Sequence, residues 1–148
     1  MAAHKREQIL DAVVTTLSAL VSATVDKVAR GRVAPFASNI NKAITLYQGS
    51  DIPEEDDDWQ VIRSNLTVVI DIHVKTSSEQ VDDVINTIRK AISIAMWADY
   101  TLGLPFINDL NEGETDEPEI SGSGEKTTGT ARNRWIFKYT RNRVDPSL

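Results

Sequence analysis

The stretch Asn65–Thr76, NLTVVIDIHVKT, decides the fold, because every second residue from Leu66 to Val74 has a large aliphatic side chain. The aliphatic set is Leu66, Val68, Ile70, Ile72 and Val74. A period of two is that of a β-strand, so these side chains are expected to share one buried face. Asp71 and His73 fall on the opposite, polar face by the same count. A strand with a single buried face is typical of an antiparallel sheet.

Helices are predicted on both sides of this strand. Downstream, Ser77 and Gln80 of SSEQ are spaced as a capping box, and Asp82 and Asp83 lie in the first turn, where the helix dipole favours acids. The buried stripe of this helix is expected to be Val81, Val84, Ile85, Ile88, Ile92 and Ala95. Upstream, apolar residues at three- and four-residue steps predict a helix over residues 4–24.

The remaining segments suggest further strands. Val25–Val33 is expected to be extended, and Ala43–Tyr47 (AITLY) to be a short strand that stops at the turn-forming QGSD. A short strand is predicted over FINDL, and RNRWIFKYTRNR is predicted as a closing strand. Trp135, Phe137 and Tyr139 would form the inner face of that closing strand. The fold class is therefore α+β, with a mostly antiparallel sheet of four to five strands and two main helices packed on it.

Composition limits the function classes. The chain has 148 residues, 41% apolar and 26% charged, which is ordinary for a soluble globular protein and favours one domain over residues 1–148. The net charge of −6 argues against general attraction to nucleic acid or membranes. The chain has no cysteine, no readable signal peptide and no apolar stretch long enough to span a bilayer. A cytosolic protein is the expectation.

Charge is unevenly distributed along the chain. Asp51–Asp58 carries six acids, Asp109–Glu125 carries seven acids, and Lys126–Arg143 carries six bases and no acid. Flexible acidic loops are therefore expected near residues 50–60 and 111–130, the second a long loop or hairpin tip ordered on binding. Acidic loops and a basic terminal segment would give the molecule distinct sides. Such polarity suits head-to-tail contacts between copies or an oppositely charged partner.

No catalytic constellation is readable. The only histidines are His4 and His73, and the expectation for His73 is an exposed histidine. Asp71 and His73 could both bind a metal ion, but no motif supplies a third ligand. No phosphate-binding loop is present, and the bases of the terminal segment are read as solvent-exposed beside core aromatics. We therefore expect no enzyme, no cofactor, no metal site and no sequence-specific nucleic-acid binding.

A family resemblance becomes visible in the order of the elements and in several short strings. A basic amphipathic helix precedes VARGRVAPF, AITLY, an acidic break, the long alternating strand, a capped helix, an LGLP turn, a Gly-rich acidic loop and YTRNRVDPS. Together these resemble the tail terminator proteins of long-tailed bacteriophages, the family that includes the minor tail protein U of lambda-like phages. The resemblance covers essentially the whole chain.

The resemblance implies an assembly role in the virion tail, built in the bacterial cytoplasm. Such α+β subunits form a ring, usually a hexamer, on the finished tail tube. The ring stops tube polymerisation and offers a surface to the neck of the filled head. The partners implied are therefore other copies of the chain, the tail tube protein and a head completion or neck protein, with DNA passing through the ring. No cofactor is implied.

A ring needs one patch to meet a different patch on the next copy. The candidates for subunit or tube contacts are Arg30, Arg32, Glu54, Glu55, Asp56, Asp57, Asp58, Arg141 and Arg143. Either Glu54–Asp58 or the 112–125 segment is expected to face the lumen or the tube and to become ordered on docking. Trp59 is either a core anchor of its loop or an exposed contact residue.

Two alternatives remain open. One is another head–tail connector or tail-completion protein of similar size, which would bind the portal side. The other is a small metal-dependent enzyme centred on Asp71 and His73.

Overall fold

The structure, a computed structural model, describes residues 3–31, 39–54, 59–77, 80–123 and 126–148. Within these ranges, two helices and six strands follow one another. They are α1 (Lys5–Ser18), β1 (Lys27–Arg30), β2 (Lys42–Pro53), β3 (Val61–Thr76), α2 (Val81–Ala98), β4 (Ile107–Thr115), β5 (Glu119–Ser123) and β6 (Lys126–Asn142). The predicted α+β class is confirmed, with one strand more than the upper estimate.

The six strands form a single sheet around β3. The order is β1-β2-β3-β6-β4, and β5 pairs with the other half of β6. All pairs are antiparallel except β1 with β2. The β3–β6 ladder is continuous from Val61 opposite Asn142 to Thr76 opposite Thr127. The predicted alternating strand is therefore the centre of the sheet.

Both helices pack on the same face of the sheet. The predicted aliphatic residues of β3 lie on this face, and all five are buried. Trp135, Phe137 and Tyr139 of β6 join them, which confirms the predicted aromatic inner face. α2 buries Val81, Val84, Ile85, Ile88, Ile92 and Met96. Ala95, predicted in this stripe, is only partly buried and packs against its edge.

β2 runs further than the sequence indicates. The predicted stop at QGSD is wrong, because β2 continues to Pro53 with a shift of register between Gln48 and Asp51. A β-bulge absorbs the turn-favouring residues without ending the strand. Gly49 fits here because a Cβ at this position would lie 3.0 Å from the Thr67 carbonyl oxygen.

The 111–130 segment is another correction. It forms the end of β4, all of β5 and the beginning of β6, so most of it is strand and not loop. Residues 124 and 125 of this segment lie outside the described residues. The composition was misleading because Ser, Thr and acids on an edge strand need no core of their own when they pair with a neighbouring strand.

The start of α2 also differs from the prediction. Gln80 is the N-cap residue, and its side chain makes no capping hydrogen bond. Ser77 lies too far before the first residue of the helix to be its N-cap, so the predicted capping box is not formed. Asp82 and Asp83 do lie in the first turn, as predicted.

α1 is shorter than predicted and is capped by a histidine. It ends at Ser18, and turns follow in which Ser22 has a positive φ of 77°. At its start, the Arg6 amide donates a hydrogen bond of 3.0 Å to Nδ1 of His4. Only a neutral imidazole can accept this bond. Burial, followed by the nearby Arg6 and Arg141 guanidinium groups, lowers the pKa of His4.

We predict that Gly129→Ala destabilises the fold by about 1–3 kcal/mol, since overpacking is the expected effect. A Cβ on Gly129 would lie 2.3 Å from Cγ1 of Val81 and 3.2 Å from Cδ1 of Ile85. Urea unfolding provides the measurement. Gly122→Ala on β5 is the matched control, because its Cβ would meet Thr127 at an ordinary 3.6 Å. A cost for Gly129→Ala that persists unchanged in a Val81→Ala background would contradict the proposed clash.

We predict that both histidines titrate below pH 6.5, because burial is the largest cause lowering each pKa. The unfolded chain then binds more protons than the folded chain, so stability is fully present above pH 6.5 and is lost as the pH falls through the folded pKa values. NMR titration of the two imidazole rings, with unfolding measured from pH 7.5 to pH 5 in steps of about 0.5 unit, tests this.

His4→Asn retains a capping acceptor and removes one titrating group, so its stability should depend less on pH than that of the wild type. A wild-type imidazole that titrates above pH 6.5 would contradict the prediction for that residue.

Candidate assembly interface

The β2–β3 connection and the end of β6 meet at one end of the sheet. The Glu54 amide donates to the Arg63 carbonyl at 2.8 Å, and the Arg143 amide donates to the Gln60 carbonyl at 2.8 Å. Arg141 lies opposite Ile62 in the β3–β6 ladder. Residues 54, 59–63 and 141–148, named here the β2–β3 end, therefore form one surface. The fold brings together Glu54, Arg141 and Arg143, which the sequence could only place 80 to 90 residues apart.

Exposed apolar side chains mark the same end. Trp59 and Val144 flank the hydrogen bond between Arg143 and Gln60, and they are 68% and 83% exposed. The open alternative for Trp59 is thus decided: it is an exposed residue and not a core anchor. Large exposed aromatics are the residue type most often found at the centre of protein–protein contacts. This end therefore has the composition of a docking surface.

The C-terminal residues are held in a defined turn at this end. Oδ1 of Asn142 accepts the amides of Val144 and Asp145 at 2.9 and 3.0 Å. The Asn142 amide donates to the Leu148 carbonyl at 2.7 Å, and the Lys5 amide donates to the Pro146 carbonyl at 3.0 Å. The turn thus joins β6 to the start of α1, which presents Val144 on a fixed backbone.

The candidate residues differ in what they contact. Oε1 of Glu54 accepts Nζ of Lys138 at 3.0 Å and Nδ2 of Asn65 at 3.3 Å, and these bonds lower the pKa of Glu54. Arg141 is partly buried, and its Nε has no hydrogen-bond partner within the described part of the chain. Arg143 is exposed. Arg32 and Glu55–Asp58 lie outside the described residues.

Arg30 is not brought to this end. It lies on β1, and its Nη1 contacts Oε2 of Glu7 at 2.8 Å and Oδ1 of Asp11 at 3.0 Å. The hydrogen bond that Arg30 donates to the Glu7 carboxylate is the main cause that raises the pKa of Arg30. Its guanidinium therefore ties β1 to α1 within the subunit.

Asp51 lies behind this end with its side chain only 7% exposed, which no local pattern in the sequence predicts. Oδ2 accepts the Tyr139 hydroxyl at 2.7 Å, and Oδ1 accepts the Ser64 hydroxyl at 2.6 Å. Nε of Arg6 lies 3.4 Å from Oδ2. Burial and then the Asp51 hydrogen bond raise the pKa of Tyr139 to about 12, so the phenol remains a donor. The acidic run had suggested a solvated loop residue.

Asp71 and His73 do lie on the face away from the helices, as the period of two predicts, but neither is simply exposed. Oδ1 and Oδ2 of Asp71 accept Nε and Nη2 of Arg132 at 3.0 and 3.3 Å. His73 is half-buried, and its Nε2 lies 2.9 Å from the Thr45 hydroxyl. The expected exposed histidine is therefore wrong. Within the described ranges, no three His, Asp or Glu side chains are grouped so as to hold a metal ion.

The predicted charge polarity is also corrected. The acidic 109–123 segment and the basic β6 are neighbouring strands, so their charges face each other across a hairpin. Arg134 makes two hydrogen bonds to Asp116, at 2.9 and 3.2 Å, while Arg132 and Lys138 bond Asp71 and Glu54. Arg132, Arg134 and Lys138 are therefore paired within the subunit, which reduces the positive charge that the terminal segment presents to other molecules.

No helix in the described part of the chain is long and apolar enough to cross a membrane. No known protein family matches the chain, and no curated protein sequence is similar to it. Among solved structures, a chain of the virion of a native gene transfer agent (GTA) particle is similar in shape, with a TM-score of 0.41 and 13% sequence identity. The similarity covers 86% of this chain and 92% of that chain. A likeness at this level carries no argument about function.

Proposed function

We propose that the protein is a phage structural subunit that forms a ring on the completed tail tube, stops tube polymerisation and provides the head-joining surface. The observation that carries the proposal is the β2–β3 end, where an exposed Trp59 and Val144 lie beside Glu54, Arg141 and Arg143. This surface combines an apolar centre with charged residues at its rim, the usual anatomy of a protein–protein contact.

The resemblance to tail terminator proteins supports the choice of role. It implied an α+β subunit, and the two-helix, six-stranded architecture agrees with that expectation. The charged groups that would suggest chemistry on the open sheet face are instead engaged in bonds within the subunit, such as Asp71 with Arg132. The ring and the partners remain part of the proposal.

The β2–β3 end suits the tube side of such a ring. Glu54 begins the acidic run Glu54–Asp58, and acids placed toward a lumen repel the phosphates of passing DNA and prevent sticking. Trp59 follows this run directly and would bury its ring against the tube.

The first prediction from this proposal concerns tail length. Particles assembled without this protein should carry overlong tails, because nothing would stop the addition of tube subunits. Electron microscopy of such particles measures the length directly. Tails of normal length that fail to join heads would instead indicate a connector, and normal particles would refute both roles.

The second prediction concerns the surface itself. Trp59→Ala should weaken capping of purified tubes about thirtyfold, the effect of removing a central aromatic from an interface. Replacing Glu54–Asp58 with Ser and Asn should likewise impair ring formation or capping. Ile94→Ala is the matched control, since Ile94 is 63% exposed on α2, away from this end. Equal capping by the Trp59 and Ile94 variants would remove the β2–β3 end from the contact.

A further inference from the structure

Opposite charges lie at the two edges of the sheet in the same row of residues. At the end of the sheet opposite the β2–β3 end, Lys27 pairs with Ala43, Ala43 with His73, His73 with Thr130, and Thr130 with Glu119. Lys27 on β1 and Glu119 on β5 are thus four strand spacings apart, about 19 Å. They lie at the same level along the strand direction, at opposite edges of the sheet.

The β1 edge has a group of lysines. Lys42 precedes Ala43 on β2, and Lys75 follows Val74 on β3, its amide donating to the Asn41 carbonyl at 2.7 Å. Lys27, Lys42 and Lys75 form the lysine corner. Lys42 and Lys75 line a polar recess of about 430 Å³, whose wall includes Ala23 and Val25. The Asp26 carboxylate in this recess accepts the backbone amides of Asn41 and Lys42.

The β5 edge has the complementary composition. Glu117 and Glu119 are exposed on and beside β5. These two glutamates form the acidic corner. The α2 acid Asp83 is not part of it, because Asp83 lines a recess together with Lys42. Ile120, which follows Glu119 and pairs with Gly129, is 52% exposed. An exposed aliphatic side chain therefore lies next to the acidic corner.

The imbalance of charge on this flank is large. Residues 81–123, which comprise α2, β4 and β5, contain nine acids and two bases. Asp116 of this segment makes an ion pair with Arg134 of β6. A segment with this excess of acids over bases disfavours nucleic acid and favours a basic protein surface.

Strand addition along β4 does not explain this flank. The pairing of β4 with β6 has two register shifts, between Ile107 and Asp109 and between Glu112 and Thr115. Pro118 then separates β4 from β5. Bulges, a proline and charges are the devices that prevent edge strands from pairing with other chains. Pairing of β4 with a strand of another chain is therefore disfavoured.

We infer that copies of this chain associate head to tail, with the acidic corner of one copy against the lysine corner of the next and Ile120 at the polar recess. The two corners are different surfaces at the same level of the sheet, which is the requirement for a contact that closes into a ring. This inference rests on the proposed ring, because it identifies the surfaces that meet within it.

The test is a charge exchange between two variants, Lys27→Glu/Lys42→Glu and Glu117→Lys/Glu119→Lys. Each variant alone brings like charges together, so self-association should weaken about tenfold or more. An equimolar mixture restores opposite charges at every contact, and its affinity should return to within about threefold of wild type. Sedimentation velocity at about 0.01 M and about 1 M salt gives the affinities, and wild-type association should be weaker at the higher salt.

Lys90→Glu/Asp109→Lys is the matched control, since it reverses one exposed lysine and one exposed acid outside the two corners. It should associate as wild type does. Circular dichroism establishes that each variant is folded. The inference is overturned if the corner variants associate normally, if their mixture stays as weak as each alone, or if the wild-type protein remains monomeric at about 1 mM and low salt.

The tail-length experiment is scored separately. If the mixture fails to associate but the protein still controls tail length, the capping role stands and the contact between copies lies elsewhere. If the mixture associates but tails are normal in the absence of the protein, the contact between copies stands and the capping role is refuted.

Discussion

The continuous pairing of β3 with β6 is the contact on which the rest of the structure depends. It places the aliphatic face of β3 beside the aromatic face of β6, and the two helices bury this combined surface. On the opposite face, the same pairing sets Asp71 directly across from Arg132, so that two hydrogen bonds form between them. Cross-strand neighbours of this kind are the unit from which a sheet gains its stability and its register.

Asp51 shows how one buried charge is made compatible with this core. Removing a carboxylate from water is costly unless hydrogen bonds and a counter-charge replace the lost hydration. The Ser64 and Tyr139 hydroxyls and the Arg6 guanidinium supply these from β3, β6 and α1. A shift of β2 by one residue would leave all of these donors unmatched. We infer that Asp51 fixes the register beyond the bulge, where the apolar pattern of β2 no longer does so.

The features predicted correctly from the sequence are those that follow from a short repeat of apolar residues along the chain. The alternation of β3, the aromatic face of β6 and most of the α2 stripe depend only on neighbours in the chain, and each was found as predicted. The bonds of Asp51 to Tyr139 and of Asp71 to Arg132 join residues 88 and 61 positions apart, which no local pattern encodes. The second half of β2 and all of β5 were missed because their polar, turn-favouring residues are held by pairing with neighbouring strands. At the candidate interface, the charged residues could be named from sequence, whereas the exposure of Trp59 could not.

The separation of β3 from β6 along the chain also has a kinetic consequence. Val61 and its partner Asn142 are far apart in sequence, and contacts of this kind make folding slow because a long loop must close before they form. During synthesis, β2 and β3 leave the ribosome well before β6. Until β6 emerges, the edge of β3 that pairs with it is unpaired. An unpaired, apolar strand of this length is a site for association with other chains. The pairing of β6 with β3 is therefore the step that ends this exposure, and the proposed ring could form only after it.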